Sequence, residues 1–188
     1  MSHEQALRHF TGGARGIAVG ILQGRPRSIA GLYIPYRLYR VRITNGGREE
    51  SRIYALDAVE GTLDWFAFPE LPAERELVTI NTRNFVPSRL TAEQTTEKLI
   101  DKVRRVLFLR GFVRLRDLRM EATAVEGDFY LPYWICFRGN NAEAKLEILD
   151  ALRRRSEGAK VCRLVQDWLQ SSSKNKFENR LSHGAVGS

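Results

Sequence analysis

Hydrophobic positions with helical spacing are clearest over residues 91–110. The segment begins at Thr91, which can form a capping box with Gln94, and Gly111 ends it. The apolar positions between them recur every three or four residues: Leu99, Ile100, Val103, Val106 and Leu107. This pattern predicts an amphipathic helix with one face on a core.

Strand-like alternation follows this helix. It predicts a strand within 113–125, then strands over 129–138 and 144–150 joined by a turn at 139–141, and a closing helix over 157–170. The earlier part of the chain has the same order of elements. Ser2 and Gln5 mark a helical region over 3–23 that glycines interrupt, and Pro26 opens the next strands.

Two parts of the chain match in sequence. "YIPY" at 33–36 corresponds to "YLPY" at 130–133, and "LDA" at 56–58 corresponds to "LDA" at 149–151. Between the matches each part has a turn rich in residues that tolerate positive φ, "NGG" at 45–47 and "GNN" at 139–141. We therefore predict an α+β fold of two related units, each a helix plus a three-stranded antiparallel meander, packed into one body. The predicted boundaries are 1–68 for the first repeat, 69–90 for a linker, 91–170 for the second repeat and 171–188 for a polar, disordered tail.

The stretch "RIYALDAVEGTLDW" at 52–65 resembles the closing strand of PepSY-type domains, in which a tyrosine-containing strand runs into Asp-Ala-x-x-Gly. The order of helix and meander is also similar to PepSY and the wider cystatin-like folds. The second copy keeps Asp150 and Ala151 but delays the glycine to Gly158. The resemblance implies a tandem of small α+β units that bind or regulate and do not catalyse.

Strand parity divides the repeated strands into two faces. One face is apolar throughout and is expected to pack on the helices: Ile34, Tyr36 and Leu38 in the first copy, and Leu131, Tyr133, Ile135 and Phe137 in the second. The other face mixes aromatic residues with arginine and is our candidate binding surface: Tyr33, Arg37, Tyr39, Tyr130 and Trp134. Three alternatives stay open for it: burial between the repeats or in a dimer, a groove for a partner or ligand, and a stacking platform for single-stranded nucleic acid.

The charge balance favours acidic partners, because the net charge is +8 and the pI is about 9.9. The candidate basic patch joins a helical cluster to an arginine run: Lys98, Lys102, Arg104, Arg105, Arg110, Arg153, Arg154 and Arg155. The alternative is that these side chains lie on ordinary solvated surfaces.

Catalytic patterns are weak in this sequence. "FTGGARGIAVG" at 10–20 looks like a dinucleotide-binding glycine loop, but a predicted helix precedes it where a strand is required, so we expect no nucleotide cofactor. The three histidines lack metal-ligand spacing, and we expect neither metal nor cofactor. Asp57 and Asp150 are the carboxylates of interest, and we expect each to accept backbone N–H groups in the turn that leaves its strand. Cys136 and Cys162 are expected to be reduced core residues.

These observations predict a non-enzymatic binding or scaffolding module that acts through protein contacts, either with another protein or as a homo-oligomer. The alternative is a nucleic-acid-associated protein that uses helix 91–110 and the arginine-aromatic face. An enzyme with Asp57 or Asp150 in its site is a third hypothesis. The chain has no apolar run of transmembrane length and no signal-peptide pattern at its start, so a cytoplasmic location is expected.

Overall fold

The fold is given by a computed structural model that describes residues 1–63, 65–109, 118–127, 129–139 and 144–184, with side chains except at 14, 15, 17, 23 and 173–184. The chain is a mixed α+β protein. Its helices are α1 (His3–Thr11), α2 (Gly13–Gln23), α3 (Ala92–Leu109) and α4 (Ala159–Gly184). Its strands are β1 (Pro26–Asn45), β2 (Arg48–Asp57), β3 (Phe66–Phe68), β4 (Arg119–Ala124), β5 (Phe129–Arg138), β6 (Lys145–Asp150) and β7 (Arg155–Ser156). Within the described ranges no helix is long and apolar enough to span a bilayer.

The residues form two compact units. One, the N–C unit, combines both ends of the chain, Met1–Leu32 and Pro132–Ser188. The other, the central unit, is Tyr33–Leu131. Strand β1 contributes residues to both units, because the boundary falls within it.

The core of the N–C unit lies between α1 and the β5–β6 hairpin. Helix α1 begins at the predicted capping box, in which Ser2 Oγ accepts from Gln5 N at 3.3 Å and Gln5 Oε1 accepts from Ser2 N at 3.0 Å. Its apolar face then places Ala6 and Phe10 against Cys136 and Leu149. Strand β6 pairs antiparallel with β5 and with β7. Helix α4 adds three further buried side chains to this unit: Val161, Leu164 and Val165.

The central unit is built on the β1–β2 hairpin. Asn45 pairs with Arg48 across a two-residue turn within the predicted turn segment 45–47, and its Gly46 and Gly47 have φ of 55° and 80°. Both values lie in the left-handed region, which glycine adopts without a Cβ clash. Strand β3 pairs with β2, and β4 pairs with β1 over residues 39–44.

Helix α3 covers one face of this hairpin. Leu99 and Val103 pack among Tyr39, Val41 and Tyr54, and the ring of Trp65 stacks on Tyr54 with centroids 4.6 Å apart. Thr91 Oγ1 accepts from Gln94 N at 3.3 Å and Gln94 Oε1 accepts from Thr91 N at 3.0 Å, so the capping box predicted for α3 is present. The apolar stripe of α3 therefore lies where its periodicity requires, on a core.

The grouping of helices with hairpins does not follow chain order. Helix α3, assigned by sequence to the second repeat, packs on β2 in the central unit, and α1 packs on β5 and β6 in the N–C unit. The second predicted meander is also different, because β4 pairs with β1 and β5–β6 is extended by β7. Helix α4 continues to Gly184, into the segment for which the sequence predicts a disordered tail, and residues 185–188 lie outside the described residues.

Candidate functional site

Tyr33 and Tyr130, two of the predicted surface residues, both contact Phe85, which was not among the predicted residues. Tyr33 N–H donates to Asn84 O at 3.0 Å and Tyr33 O accepts from Val86 N at 2.9 Å, which forms a parallel bridge between Tyr33 and Phe85. The exposed rings of Phe85 and Tyr130 are in edge contact, with centroids 6.1 Å apart. We call the Phe85–Tyr130 ring pair, with the Tyr33 backbone that fixes the position of Phe85, the aromatic cluster of the central unit.

Tyr39 and Arg37 do not belong to an open surface. Tyr39 is fully buried under α3, and its hydroxyl donates to Ala92 O at 3.0 Å. Arg37 is half-buried and donates from Nη2 to Leu90 O at 3.3 Å. Strand parity wrongly predicted that the Tyr39 face of β1 is open. Val41 and Ile43 continue this face as an apolar row, and α3 packs on it. Both side chains hold the start of α3 in place.

Trp134 lies in the N–C unit, whereas the other four candidates lie in the central unit. It is half-buried and packs on the cluster that contains Phe10 and Cys136. Its ring is in edge contact with His3, with centroids 5.5 Å apart. Trp134 therefore contributes to the contacts of α1, and its ring is not a free stacking surface.

A segment without helix or strand, next to the aromatic cluster, carries exposed aliphatic side chains. After a 3-10 turn at Glu74–Glu76, the chain continues through Leu77, Val78 and Ile80, bends at Arg83 and reaches the bridge at Phe85. All three side chains are exposed, and Val78 is 78% exposed. Within the described residues, the backbone of 78–83 makes no hydrogen bond to another strand. From the sequence, this segment was predicted to be part of the linker 69–90.

The helical part of the predicted basic patch is interrupted by acidic residues, and two of its four described side chains have polar partners. Lys98, Lys102, Arg104 and Arg105 all lie on α3, but Lys102 Nζ donates to Leu63 O at 2.6 Å and Arg104 Nη1 lies 3.2 Å from Asp101 Oδ1. Three acidic residues also occupy exposed positions of this helix: Glu93, Glu97 and Asp101. Arg110 lies outside the described residues. The exposed face of α3 is therefore mixed in charge over most of its length.

The arginine run covers the end of the turn after β6 and the first residue of β7 in the N–C unit. Arg153 N–H donates to Asp150 Oδ1 at 2.8 Å, and Arg155 Nε lies 3.8 Å from Glu157 Oε1. Arg154 has φ of 56°, a left-handed conformation that is uncommon for a residue with a Cβ. The turn fixes the positions of these arginines. The predicted basic patch is divided between the two units, because α3 lies in the central unit and residues 153–155 lie in the N–C unit.

Asp57 has the predicted role in the turn after β2. Its buried carboxylate accepts four backbone N–H groups, from Val59, Glu60 and Gly61 at Oδ1 and from Leu63 at Oδ2, over 2.8–3.3 Å. All of the donors are main-chain groups that would otherwise be unpaired in a buried turn. Both oxygens are therefore occupied by the fold.

Asp150 occupies the matching position after β6 but is less completely bonded. Its Oδ1 accepts from Leu152 N and Arg153 N at 2.8 Å each. Its Oδ2 is buried without a hydrogen bond and lies 4.0 Å from Arg153 Nε. An aspartate thus accepts backbone N–H groups in the turn after a strand in both units, but in the N–C unit one of its carboxylate oxygens has no hydrogen bond.

Other reactive groups give little support for chemistry. Burial is the main cause that raises the pKa of the Cys136 thiol to about 11, and burial together with Glu157 raises the pKa of Cys162. Both cysteines are reduced. Among the residues that the structure describes, no group of three or more His, Cys, Asp or Glu side chains could hold a metal ion. An open pocket of about 280 Å³ lies on the central unit, away from Asp57, and is lined by Arg40, Ser51, Arg52, Ile53, Pro69, Glu70 and Leu71.

Comparisons of the chain with protein-family models, with curated proteins and with solved structures gave no significant match.

Proposed function

We propose that this chain is a non-enzymatic binding module that engages a protein partner through residues 77–86. The observation that carries the proposal is that the backbone of 78–83, which is not part of a helix or strand, makes no hydrogen bond to a strand within the described residues and carries two exposed aliphatic side chains, Val78 and Ile80. A partner strand can add to such a backbone, with main-chain hydrogen bonds supplying affinity and alternate side chains supplying specificity.

The aromatic cluster supports the same surface. Phe85 and Tyr130 stand exposed at one end of the segment, and the Tyr33 backbone holds that end in place. Aromatic residues are enriched at protein interfaces because one ring covers a large area at low entropic cost. An anchored end beside a segment whose backbone has no strand partner is suitable for strand addition.

We also propose that the β1–β2 and β5–β6 hairpins derive from one duplicated unit. Tyr36 pairs with Asp57 and Tyr133 pairs with Asp150. In addition, Ala58 N donates to Pro35 O at 2.9 Å and Ala151 N donates to Pro132 O at 3.1 Å. This equivalence supports the sequence repeat, and the resemblance to PepSY-type domains remains part of the same proposal.

The nucleic-acid alternative has less support. It relied on a basic helix and on an arginine-aromatic sheet face, but Glu93, Glu97 and Asp101 interrupt the charge of α3. Tyr39 is buried and Trp134 packs on α1. Stacking of single-stranded bases needs exposed ring faces beside free cations.

A proline substitution tests strand addition directly. Thr79→Pro and Ile80→Pro each remove one of two successive N–H groups, one of which must face a partner strand. Thr79→Ala and Ile80→Ala are the matched controls that keep the N–H. A photo-crosslinking residue at Val78 in each background reports an adduct, either with another protein or with a second copy of the chain.

We expect a discrete adduct in the unsubstituted protein and in the alanine controls, and its loss in at least one proline variant. Circular dichroism checks that all variants are folded, which we expect because no described backbone hydrogen bond of 79 or 80 is removed. Absence of any adduct, or adducts of equal yield in both proline variants, would contradict strand addition.

A further inference from the structure

Helix α3 ends in an exposed apolar pair beside two arginines. Phe108 is 54% exposed and Leu109 is 84% exposed. Arg104 and Arg105 lie one turn earlier, so each arginine shares a stripe of the helix with one apolar residue at i, i+4 spacing. Arg105 is exposed and makes no ion pair with any described carboxylate. Large apolar groups left this open usually mark a contact surface.

Helix α2 ends in the same way in the N–C unit. Ile21 and Leu22 are 81% and 79% exposed in its last turn. Arg25 follows three residues after Leu22 and is also exposed. Two helices, one in each unit, thus end in a pair of large apolar residues with arginine close by.

We propose that these two helix ends bind the surface of an anionic lipid bilayer. The arginines attract anionic headgroups, and the apolar pairs enter the boundary between headgroups and acyl chains, where long cationic side chains can stay at the polar level. The net charge of +8 adds a long-range attraction of the same sign.

The aliphatic residues distinguish lipid from nucleic acid as the partner. Ile21, Leu22 and Leu109 have no π face on which a base could stack, and they gain nothing from phosphate. The charged half of α3 that could follow a phosphate backbone is interrupted by Glu97 and Asp101, whereas the exposed positions of its last turns carry only arginine and apolar residues. A bilayer also requires no defined backbone geometry, which suits two helix ends of different sequence.

The test is co-sedimentation of the full chain with vesicles of phosphatidylcholine, with and without phosphatidylserine. Phe108→Ser/Leu109→Ser and Ile21→Ser/Leu22→Ser remove one apolar pair each, and Arg104→Gln/Arg105→Gln removes one charge pair. Leu7→Ser, which removes an exposed aliphatic residue of α1 whose neighbour Arg8 is paired with Glu4, is the control.

We expect binding only to vesicles that contain phosphatidylserine, weakened by salt. Each arginine removed should lower the partition coefficient roughly five-fold. Each apolar pair removed should lower it further, whereas Leu7→Ser should leave it unchanged. The two apolar variants lie in different units, so a folding defect in one leaves the other as a test, and circular dichroism identifies the defect.

Lack of binding to the anionic vesicles would overturn the proposal. So would binding that both apolar variants retain in full. A labelled single-stranded oligonucleotide provides the last comparison. The surface recognises nucleic acid instead if the oligonucleotide binds, vesicles do not bind, and Arg104→Gln/Arg105→Gln abolishes oligonucleotide binding. In that case, substitution of either apolar pair should leave oligonucleotide binding unchanged. None of these outcomes depends on residues 77–86, so the strand-addition proposal is tested separately.

Discussion

Arg138 donates its Nε–H to Glu147 Oε2 at 2.9 Å although only 1% of its side chain is exposed. The same guanidinium donates to two backbone carbonyl groups, Phe10 O in the last turn of α1 and Gly24 O just after α2. One buried arginine therefore joins both N-terminal helices to the β5–β6 hairpin of the N–C unit. A rigid fork of five donors suits this role, whereas a lysine could not reach three acceptors at once.

Arg138→Ala is expected to destabilise the protein by about 3–5 kcal/mol, because a carboxylate and two carbonyl groups lose their buried partner. Arg138→Lys should recover only part of the loss. Arg40→Ala, at an exposed position of β1, should change the free energy of unfolding by less than about 0.5 kcal/mol. Chemical denaturation of the three variants measures this. Equal stability of Arg138→Ala and Arg40→Ala would mean that the buried guanidinium is not needed.

Asp57→Asn and Asp150→Asn should differ in cost. The amide nitrogen that replaces one oxygen of Asp57 faces a backbone N–H, since both of its oxygens accept such groups, and we expect a loss of about 2–3 kcal/mol. In Asp150 the amide can take the place of Oδ2, which has no hydrogen bond, so a loss of about 1 kcal/mol or less is expected. Thermal unfolding of both variants provides the comparison, and a reversed order would contradict the bonding described for the two turns.

Gly61→Ala should destabilise the turn after β2. Gly61 has φ of 67°, and a Cβ would lie 2.5 Å from Lys98 Cδ on α3. We expect a cost of about 1–2 kcal/mol from the left-handed conformation alone, with some relief through movement of the lysine side chain. Gly20→Ala is the control, because its Cβ would meet nothing within 4 Å and alanine favours helix α2 by about 0.5–1 kcal/mol. Opposite signs in denaturant midpoints are therefore expected.

Cys136 should resist thiol reagents in the folded protein. It is fully buried, and burial raises its pKa to about 11, so the reactive thiolate is scarce at neutral pH. Mass spectrometry after iodoacetamide treatment should find Cys162 modified first and Cys136 modified only on unfolding. Rapid modification of Cys136 under native conditions would contradict its place in the core.

The raised pKa of Cys136 also determines the direction in which the free energy of unfolding changes with pH. The unfolded thiol loses its proton at its ordinary value, whereas the folded thiol keeps it to about 11. The associated stability is therefore fully present below the ordinary thiol pKa and is lost as pH rises through about 11. Comparison with Cys136→Ala isolates this slope, since the variant should lose less stability over that range.

Local signals in the sequence predicted much of the fold. The capping boxes at Ser2 and Thr91, the glycine turn at 46–47 and strand β5 were confirmed, because each depends on residues close in the chain. The role of Asp57 was predicted for the same reason. None of these features depends on which helix packs on which strands.

The partners of the helices could not be predicted. Strand β1 has apolar residues on both faces near Tyr36 and Tyr39, so alternation alone did not indicate the face that α3 covers. Arg138 was missed because a charged residue at a strand end is usually exposed, and its three acceptors are far apart in sequence. Residues 77–86 were assigned to a linker because the sequence does not show that the aliphatic side chains of this segment are exposed. Their exposure depends on the tertiary structure.

The composition of the N–C unit has a consequence for synthesis on the ribosome. Its helix α1 is made before the central unit, but Cys136 and Leu149, which cover Ala6 and Phe10, are made after that unit. A nascent chain that ends before β5 can complete the β1–β2–α3 core while the apolar face of α1 still has no cover. The central unit should therefore fold before the N–C unit, and the residues of α1 should be among the last to acquire their native neighbours.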